Sequence, residues 1–253
     1  MACFDTAFHT TIPAAAATYA VPREWRERYG IRRYGFHGLS HAYCSSRAAT
    51  LLGRSPRGLR VVSCHLGAGA SLAAVVDGRS VDTTMGFTPL EGLVMATRSG
   101  TVDPGMVLWV QELAQLSAAE VSAALLERSG LRALAGTPDM RAVVEAAARH
   151  DAAATLALDV YVHRLVAAVA AMTAAAQGLD VLAFTGGVGE HPPEVRRRAA
   201  QRLGFLGVAI DPQQNENAHD DAEITTADAA VRTLVITARE DLQIAAEARR
   251  LTD

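Results

Sequence analysis

Short hydrophobic runs separated by tight turns occupy the segment 59–85. The runs LRVVSCHL, ASLAAVVDG and RSVDTTM each have the length and composition of a β-strand. Asp77 and Gly78 stand between the second and third runs, and this pair is typical of a two-residue type I′ hairpin turn. The pattern therefore predicts a β-meander of three strands.

Helical periodicity replaces this pattern after the meander. Residues 105–115 and 117–128 each carry apolar positions at helical spacing and are closed by turn signals. Ser117 and Glu120, three residues apart, form a capping box at the start of the second segment. The sequence therefore predicts two consecutive short helices here.

Two further helices are predicted before the next strand. The first is expected to begin near Thr137, a good N-cap, with Pro138 at the first helical position, where proline is tolerated. The second is alanine-rich and covers about 150–176. Its most apolar run, 165–176, is shorter than the roughly 20 residues that a bilayer-spanning helix needs, which favours a buried helix.

The last part of the chain alternates buried strands with helices. VLAFTG predicts a buried strand, GGVGEHPP a glycine-rich turn, EVRRRAAQRLG a helix, VRTLVIT a strand and REDLQIAAEARRL an amphipathic helix. NENAHDDAE, at 215–223, is interpreted as an exposed polar loop. The resulting order, β-β-β-α-β-α-β, predicts an α/β domain with one mixed sheet.

Composition narrows the classes of function. A chain of 253 residues that is 50% hydrophobic can bury a large core, and a net charge of −3 disfavours nucleic acid or an anionic membrane as the main partner. All 24 basic side chains are arginines, so the lysine of a P-loop kinase is absent. The three cysteines, Cys3, Cys44 and Cys64, are odd in number and lack C-x-x-C spacing, which favours a reduced cytoplasm.

Histidines and an aspartate are dense in two loops near the start of the chain. FDTAFH carries Asp5 and His9, and YGFHGLSH carries His37 and His41. A single histidine beside an aromatic residue is more often a core or surface imidazole than a functional group. The density of the four side chains favours a site over that alternative.

Three further loops combine glycine with polar or charged groups. HLGAGAS, at 65–71, could point backbone amides at an anion, and Arg98, within 86–105, could recognise a carboxylate or phosphate with two hydrogen bonds. TGGVGEH follows a buried strand, where α/β sheets bind nucleotides. Taken singly, a glycine-rich hairpin without a ligand explains the first loop at least as well, and a surface salt bridge explains Arg98 equally well. A plain strand-to-helix turn is the better explanation of the third loop.

The ordered set of motifs resembles the acetate kinase family. FDTAFH, YGIRRYGFHGLSH, SCHLGAGAS, GRSVDTTMGFTPLEGLVMATRSGTVDPG, SGL, DMR, FTGGVGE and VITARED follow one another at the family's approximate spacing over almost the whole chain. The resemblance implies an actin/Hsp70/sugar-kinase (ribonuclease H-like) domain. It also implies a cytoplasmic, magnesium-dependent phosphotransferase, usually a homodimer, that reversibly transfers the terminal phosphoryl of ATP to acetate or propionate, giving ADP and acetyl phosphate in the case of acetate.

The resemblance also implies roles for individual positions. Asp5, His37 and Arg98 match the family's catalytic groups, and Glu240 matches the glutamate associated with Mg²⁺. The positions that match nucleotide-binding segments are His65, Leu66, Gly67, Ala68, Gly69, Asp139, Met140, Arg141, Gly187, Val188, Gly189, Glu190 and His191. Phosphoryl transfer needs positive charge on the equatorial oxygens, which Arg98 and His37 can supply without lysine.

Three positions depart from the family pattern. Ala68 and His191 stand where asparagine is usual, and Arg239 replaces the asparagine before Glu240. The first change removes an amide that could donate to a phosphate, a hydrogen bond worth about 0.5 to 1.5 kcal/mol. The last change puts a cation next to the carboxylate expected to hold Mg²⁺, which weakens metal binding by like-charge repulsion.

No segment of this sequence matches the family's N-terminal domain. We therefore expect residues 1–238 to form the C-terminal actin-like domain and residues 239–253 to form a helix that packs on the N-terminal domain, supplied by a separate polypeptide or lost by truncation. That helix carries an apolar stripe without obvious cover, made of Leu242, Ile244, Ala245, Ala248 and Leu251. Two hypotheses follow: an acetate kinase that is weak or inactive alone, or a non-catalytic remnant that binds nucleotide or pairs with a full-length subunit.

Overall fold

The computed structural model describes residues 2–250, without the side chain of Arg250. A 3₁₀ turn, Ala7–Thr11, precedes the first helix, and a second, Gly204–Leu206, follows the tenth. In chain order the helices and strands are α1 (Ala14–Ala17), α2 (Arg23–Tyr29), α3 (Gly38–Leu51), β1 (Arg60–Leu66), β2 (Ala70–Val76), β3 (Arg79–Thr83), α4 (Pro104–Leu113), α5 (Ala118–Glu127), α6 (Gly130–Ala135), α7 (Met140–Ala148), α8 (Ala152–Ala175), β4 (Val181–Thr185), α9 (Gly187–Glu190), α10 (Pro193–Arg202), α11 (Pro212–Glu216), β5 (Ala222–Glu223), β6 (Arg232–Val235) and α12 (Glu240–Arg250).

The strands form one mixed sheet in the order β3-β2-β1-β4-β6-β5. Strands β1, β4 and β6 are parallel, whereas the β1–β2, β2–β3 and β5–β6 pairs are antiparallel. Asp77 and Gly78 both have positive φ, 54° and 75°, as a type I′ turn requires. The predicted meander and the predicted mixed sheet are confirmed.

Helices cover both faces of the sheet because side chains of β1 alternate between them. Val62, Cys64 and Leu66 pack in the cluster that includes the buried face of α8. Val61 packs on the other face with Cys44 and with the rest of the buried side of α3. Every strand in the middle of the sheet is thus sandwiched between two layers.

Helix α8 is the central helix of the larger core. Its 24 residues are long and apolar enough to cross a membrane by length and composition alone, so the run 165–176 is only part of a longer apolar helix. Leu158, Leu165 and Val169 on this helix are fully buried against the sheet and the neighbouring helices. The prediction of a buried helix is confirmed.

Two local predictions are wrong. Helix α7 begins at Met140, not near Thr137, because Asp139 is the N-cap and its carboxylate accepts a hydrogen bond from the backbone N–H of Arg141. The segment 215–223 is not wholly an exposed loop. Asn215 ends up 1% exposed within α11, and β5 adds a short edge strand.

The last helix, α12, packs against α3. Leu242 and Ile244 remain 44% and 41% exposed, whereas Ala245 and Ala248 are half-buried. Leu251, the last member of the predicted apolar stripe, lies outside the described residues. The helix thus covers α3 with one side and keeps part of its apolar stripe on the surface.

Candidate functional site

Two loops meet at the carboxyl ends of β1 and β4, which are adjacent and parallel. The loop 67–69 follows β1, and Gly186 follows β4 with φ of 77°. A Cβ at Gly186 would lie 2.7 Å from the carbonyl oxygen of Leu66, closer than any side chain tolerates. Glycine is therefore required for the two loops to pack backbone against backbone at this edge.

A cleft of about 460 Å³ opens beside these loops. Most of the positions predicted to bind nucleotide line it, namely Gly67, Ala68, Asp139, Met140, Arg141, Gly187, Val188 and His191. Leu131 and Val188 give the wall apolar surface, and Met140 is almost fully buried at the start of α7. Segments that are more than 100 residues apart in the chain therefore form one concave surface.

The other positions predicted to bind nucleotide do not line this cleft. Leu66 is fully buried in the core, and Gly189 is buried beneath the loop. Glu190 is engaged within the fold, since its carboxylate accepts hydrogen bonds from the backbone N–H groups of Gly186, at 2.7 Å, and Ala238, at 3.0 Å. Glu190 thus links the loop after β4 to the segment that follows β6.

Arg196, which the sequence did not single out, fixes the same loop from below. Its guanidinium is 1% exposed and donates to the carbonyl oxygens of Gly189 and Glu190 at 2.9 and 2.7 Å. Asn215 accepts two further hydrogen bonds from it. Burial lowers the pKa of Arg196 to about 10, so it stays charged at neutral pH. In the sequence Arg196 is one of three consecutive arginines, and nothing in that run distinguishes the buried one from its half-buried neighbours.

Tyr161 on α8 is a second residue of the cleft that the sequence did not reveal. It is 3% exposed, it lines the cleft, and its hydroxyl has no hydrogen-bond partner among the described residues. Burial raises the pKa of this hydroxyl, which keeps it protonated. The tyrosine falls on the buried stripe of an alanine-rich helix, where an aromatic side chain by itself indicates only core packing.

Asp5 and His37 are joined by backbone geometry at the other end of the loop 67–69. The backbone N–H of His37 donates to Oδ2 of Asp5 at 2.6 Å, and that of Gly38 donates to the carbonyl of Asp5 at 2.8 Å. His37 is the N-cap of α3 and adopts the left-handed conformation, with φ of 55°. A Cβ at Gly38 would lie 2.2 Å from that carbonyl, so the contact requires glycine.

Arg98 reaches the same place from the loop between β3 and α4. A Cβ built on Gly69 would lie 3.2 Å from Nε2 of His37 and 3.4 Å from Nη1 of Arg98. The guanidinium is held by a 3.1 Å hydrogen bond from Nη1 to the carbonyl of Pro89. Burial, opposed in part by Asp5 and reinforced by Arg98, lowers the pKa of His37. His37 and Arg98 therefore meet beside Gly69, and Asp5 is bonded to the backbone of His37.

Further histidines lie behind His37. The ring of His65 stacks on that of His37 with centroids 4.2 Å apart, and Nδ1 of His65 lies 2.7 Å from Oγ of Ser40. Burial, and then the charge of His37, lowers the pKa of His65 to about 3. His65 thus belongs to this histidine cluster and not to the cleft, so the loop that begins at His65 connects the two.

Glu240 lies close enough to Asp5 for the two carboxylates to interact. Partial burial raises the pKa of Glu240, and the charge of Asp5 raises it further. Within residues 2–250, no group of three or more His, Cys, Asp or Glu side chains is gathered around a metal position. Mg²⁺ in phosphoryl-transfer sites commonly takes one or two carboxylates, with waters and phosphates as its other ligands. The pair fits that donor set.

Arg239, which stands where the family has asparagine, directs its charge toward Asp241 and not toward Glu240. Its guanidinium makes two 3.0 Å hydrogen bonds to the carboxylate of Asp241 and leaves Glu240 without a bond from it. Because the charge of Arg239 is neutralised by that pair, the repulsion expected at a metal bound to Glu240 is reduced.

Comparisons with known proteins agree on one family. The model of the acetokinase family matches residues 1–246. The acetate kinase of Trichormus variabilis (strain ATCC 29413 / PCC 7937) is 52% identical over 246 residues, which are 97% of this chain and 60% of that enzyme. The chain thus spans about 60% of the length of the curated relatives it matches.

Solved structures give the same result. The crystal structure of Porphyromonas gingivalis acetate kinase is 38% identical, with a TM-score of 0.96 over 99% of this chain and 63% of the other. A propionate kinase from Francisella tularensis subsp. tularensis SCHU S4 is 42% identical, with a TM-score of 0.91 over 96% of this chain and 62% of the other. The similarity in fold therefore covers nearly the whole chain.

Proposed function

The chain belongs to the acetokinase family, and we propose that it forms the nucleotide-binding and phosphoryl-stabilising part of an acetate kinase. One observation carries the proposal: Arg98 and His37 meet beside Gly69, in the same short loop whose Gly67 and Ala68 line the cleft. A nucleotide in the cleft would extend its phosphates along that loop toward the two side chains. The substrates are ATP or ADP and a small carboxylate, either acetate or propionate.

Each group at this end has a separate task in the proposed reaction. Arg98 and His37 stabilise the charge that develops on the equatorial oxygens of the transferred phosphoryl, and backbone amides of the loop 67–69 hold the phosphates. Asp5, through its bonds to the backbone at His37 and Gly38, fixes the imidazole in position. Glu240, with Asp5 beside it, would hold Mg²⁺, which neutralises phosphate charge when it is bound.

Phosphoryl transfer needs a site that closes and excludes water from the transferred phosphoryl, and this chain spans about 60% of the length of its relatives. We therefore propose that this chain alone turns over weakly or not at all, and that a second domain completes the site in the cytoplasm. The test is formation of acetyl phosphate, or propionyl phosphate, by purified chain with Mg-ATP, alone and after fusion to the part of the Porphyromonas gingivalis enzyme that the chain does not cover.

The fusion should restore transfer at least a hundredfold over the chain alone. Robust transfer by the chain alone would contradict the need for a second domain. A folded fusion that binds ADP but transfers no phosphoryl would contradict the kinase proposal. That result would favour the alternative, a non-catalytic subunit that binds nucleotide.

We also propose a homodimer, with α4 as the contact surface. The helix has no buried residue in the chain, and Leu108, Trp109 and Leu113 are each more than 60% exposed. Such an apolar face on a short helix is typical of a protein interface. Sedimentation of Trp109→Glu should give a monomer where the unmodified chain gives a dimer, and a monomeric unmodified chain would contradict this proposal.

A further inference from the structure

A line of hydrogen bonds runs from His37 into the core. Nδ1 of His37 lies 2.9 Å from Oγ of Ser71, and the same oxygen lies 2.8 Å from Nε2 of His41. Nδ1 of His41 lies 2.9 Å from Oγ of Ser63. Ser63, Ser71 and His41 are each 0% exposed, so solvent does not compete for these contacts. We refer to His37, Ser71, His41 and Ser63 as the imidazole–hydroxyl chain.

The hydrogen bonds of the imidazole–hydroxyl chain all run in one direction, because a neutral imidazole carries one hydrogen. Burial, followed by the charges of His9, His65 and His37, lowers the pKa of His41 well below its usual value. One ring nitrogen of His41 therefore donates and the other accepts. Each serine hydroxyl likewise donates one hydrogen. The direction of the hydrogen bond at one end of the imidazole–hydroxyl chain therefore fixes the direction of every other bond in it.

Ser63 decides the direction. Its hydroxyl hydrogen needs an acceptor, and its hydrogen-bond partners among the described residues are Nδ1 of His41 and the thiol of Cys44. Burial raises the pKa of Cys44 to about 12, so this group is a neutral thiol, a much weaker acceptor than an imidazole nitrogen. Since a buried hydroxyl without an acceptor is costly, Ser63 donates to His41.

The remaining bonds follow from that one. His41 donates from Nε2 to the oxygen of Ser71, and Ser71 donates its hydrogen to Nδ1 of His37. The single hydrogen of His37 is then on Nε2, the nitrogen beside Gly69 and Arg98. We propose that Ser63, His41 and Ser71 are positioning residues that hold His37 as the Nε2–H tautomer, a neutral donor directed at the anion site.

This inference deepens the proposed function without depending on it for its first test. The tautomer is a property of the free protein, whereas its use on a phosphoryl oxygen rests on the kinase proposal. A fixed hydrogen on Nε2 means that His37 can donate to an anionic oxygen without first reorganising, which is the condition for effective electrostatic stabilisation.

The experiment is ¹⁵N NMR of the histidine rings, in which two-bond couplings identify the nitrogen that carries the hydrogen. The unmodified chain should show His37 as the Nε2–H tautomer alone. Ser71→Ala, which removes the direct donor, and Ser63→Ala, which does not touch His37, should both produce a mixture of His37 tautomers. Ser63→Thr keeps a hydroxyl and should restore the single tautomer.

Ser80, which lies outside the imidazole–hydroxyl chain, provides a matched control. Ser80 is also fully buried on a strand, and its Oγ lies 2.8 Å from Nδ1 of His9, whose Nε2 donates to the carbonyl of Phe36. Ser80→Ala should therefore alter the signals of His9 and leave the tautomer of His37 unchanged. Comparable backbone amide spectra for all variants identify those that fold.

Two results would overturn the inference. One is an Nδ1–H tautomer of His37 in the unmodified chain, and the other is an unchanged His37 in folded Ser63→Ala. The kinase proposal is tested separately by titration calorimetry with Mg-ATP. In that titration Ser63→Ala should weaken binding of Mg-ATP about three- to tenfold, as for the loss of one well-placed hydrogen bond. Failure of the unmodified chain to bind Mg-ATP would contradict the kinase proposal.

Discussion

The two ends of the site are built on opposite principles. At the end near His37, the polar side chains are joined to one another through buried serines and backbone groups, so their positions are set before a ligand arrives. At the cleft end, the walls are largely apolar, and the hydroxyl of Tyr161 has no partner among the described residues. The first end is preorganised for charge, and the second leaves a polar group for the ligand to satisfy.

This difference determines which position of the loop 67–69 has room for a larger side chain. Gly69 is confined by His37 and Arg98, so any side chain there would press on both of them. Ala68 is exposed and faces the open cleft, where a different side chain meets no such limit. The open end of the site, at Ala68, and its rigid end, at Gly69, are therefore adjacent in the sequence.

The largest effect should come from Arg98 at the preorganised end. Arg98→Ala removes the positive charge that stabilises the transferred phosphoryl. In comparable systems such an arginine contributes roughly 10³ to 10⁵ in rate. We expect the turnover of the fusion described above to fall at least a thousandfold with a small change in melting temperature. Equal damage to turnover and melting would contradict the catalytic role.

Arg132→Ala is the matched control for this change. Arg132 is exposed and, like Arg98, donates from Nη1 to a backbone carbonyl, that of Glu127 at 3.2 Å. Its removal should leave turnover within about twofold, since a surface contact of this kind contributes little.

Acid should destabilise the folded chain through its buried histidines. Burial lowers the pKa of His9 to about 4, whereas the unfolded side chain titrates near 6.5. Between these values the unfolded chain binds the proton and the folded chain does not, so the free energy of unfolding falls as pH decreases, by about 1.4 kcal/mol per pH unit for this group. Above pH 6.5 the contribution is complete.

Denaturant unfolding across pH 7 to 4 measures this slope. His9→Gln should reduce it, because glutamine can donate to the carbonyl of Phe36 and accept from Ser80 without titrating. His219→Gln, a change at an exposed position, should leave the slope unchanged. An equal slope in His9→Gln and the unmodified chain would show that His9 is not held neutral.

Tyr161 tests the open end of the comparison. Tyr161→Phe removes a hydroxyl that has no partner in the free protein, so the melting temperature should hold or rise slightly, while affinity for Mg-ADP should fall about two- to tenfold. Tyr43→Phe, on α3 and away from the cleft, should change neither quantity. A loss of stability without a loss of affinity would mean that the hydroxyl serves the core.

The smallest effect, and the one of opposite sign, concerns Ala68. Ala68→Asn supplies an amide at an exposed position of the cleft and should improve affinity for Mg-ATP about two- to fivefold, the value of one modest hydrogen bond. Calorimetry measures it directly. Unchanged affinity would indicate that the side chain at this position does not reach the phosphates.

Local signals predicted the parts of the fold that depend on neighbouring residues. The meander, its Asp77-Gly78 turn and the capping box of Ser117 and Glu120 each involve groups within a few residues, and the structure confirms them. The start of α7 was misplaced because Thr137 and Asp139 are both good N-caps, and only the geometry of the loop selects between them.

Long-range contacts account for most of what the sequence did not show. The buried side of α3 includes His41 and serines, so it lacks the apolar periodicity by which helices are recognised, and the partners of His41 are on strands 22 and 30 residues away. Arg196 likewise is buried because Asn215, 19 residues further along the chain, and the backbone of Gly189 accept its hydrogen bonds. The family resemblance identified the functional loops in the sequence. The contacts within those loops become visible only in the three-dimensional structure.

The cleft and the cluster around His37 should be two ends of one nucleotide site in this chain. Titration calorimetry of the folded chain with Mg-ADP and Mg-ATP tests it most directly. Gly187→Glu projects a side chain from a position where a Cβ meets nothing within 4 Å, and Gly204→Glu does the same outside the cleft. We expect one nucleotide to bind per chain, with binding abolished in Gly187→Glu and retained in Gly204→Glu. No binding by folded chain, or equal binding by both variants, would contradict it.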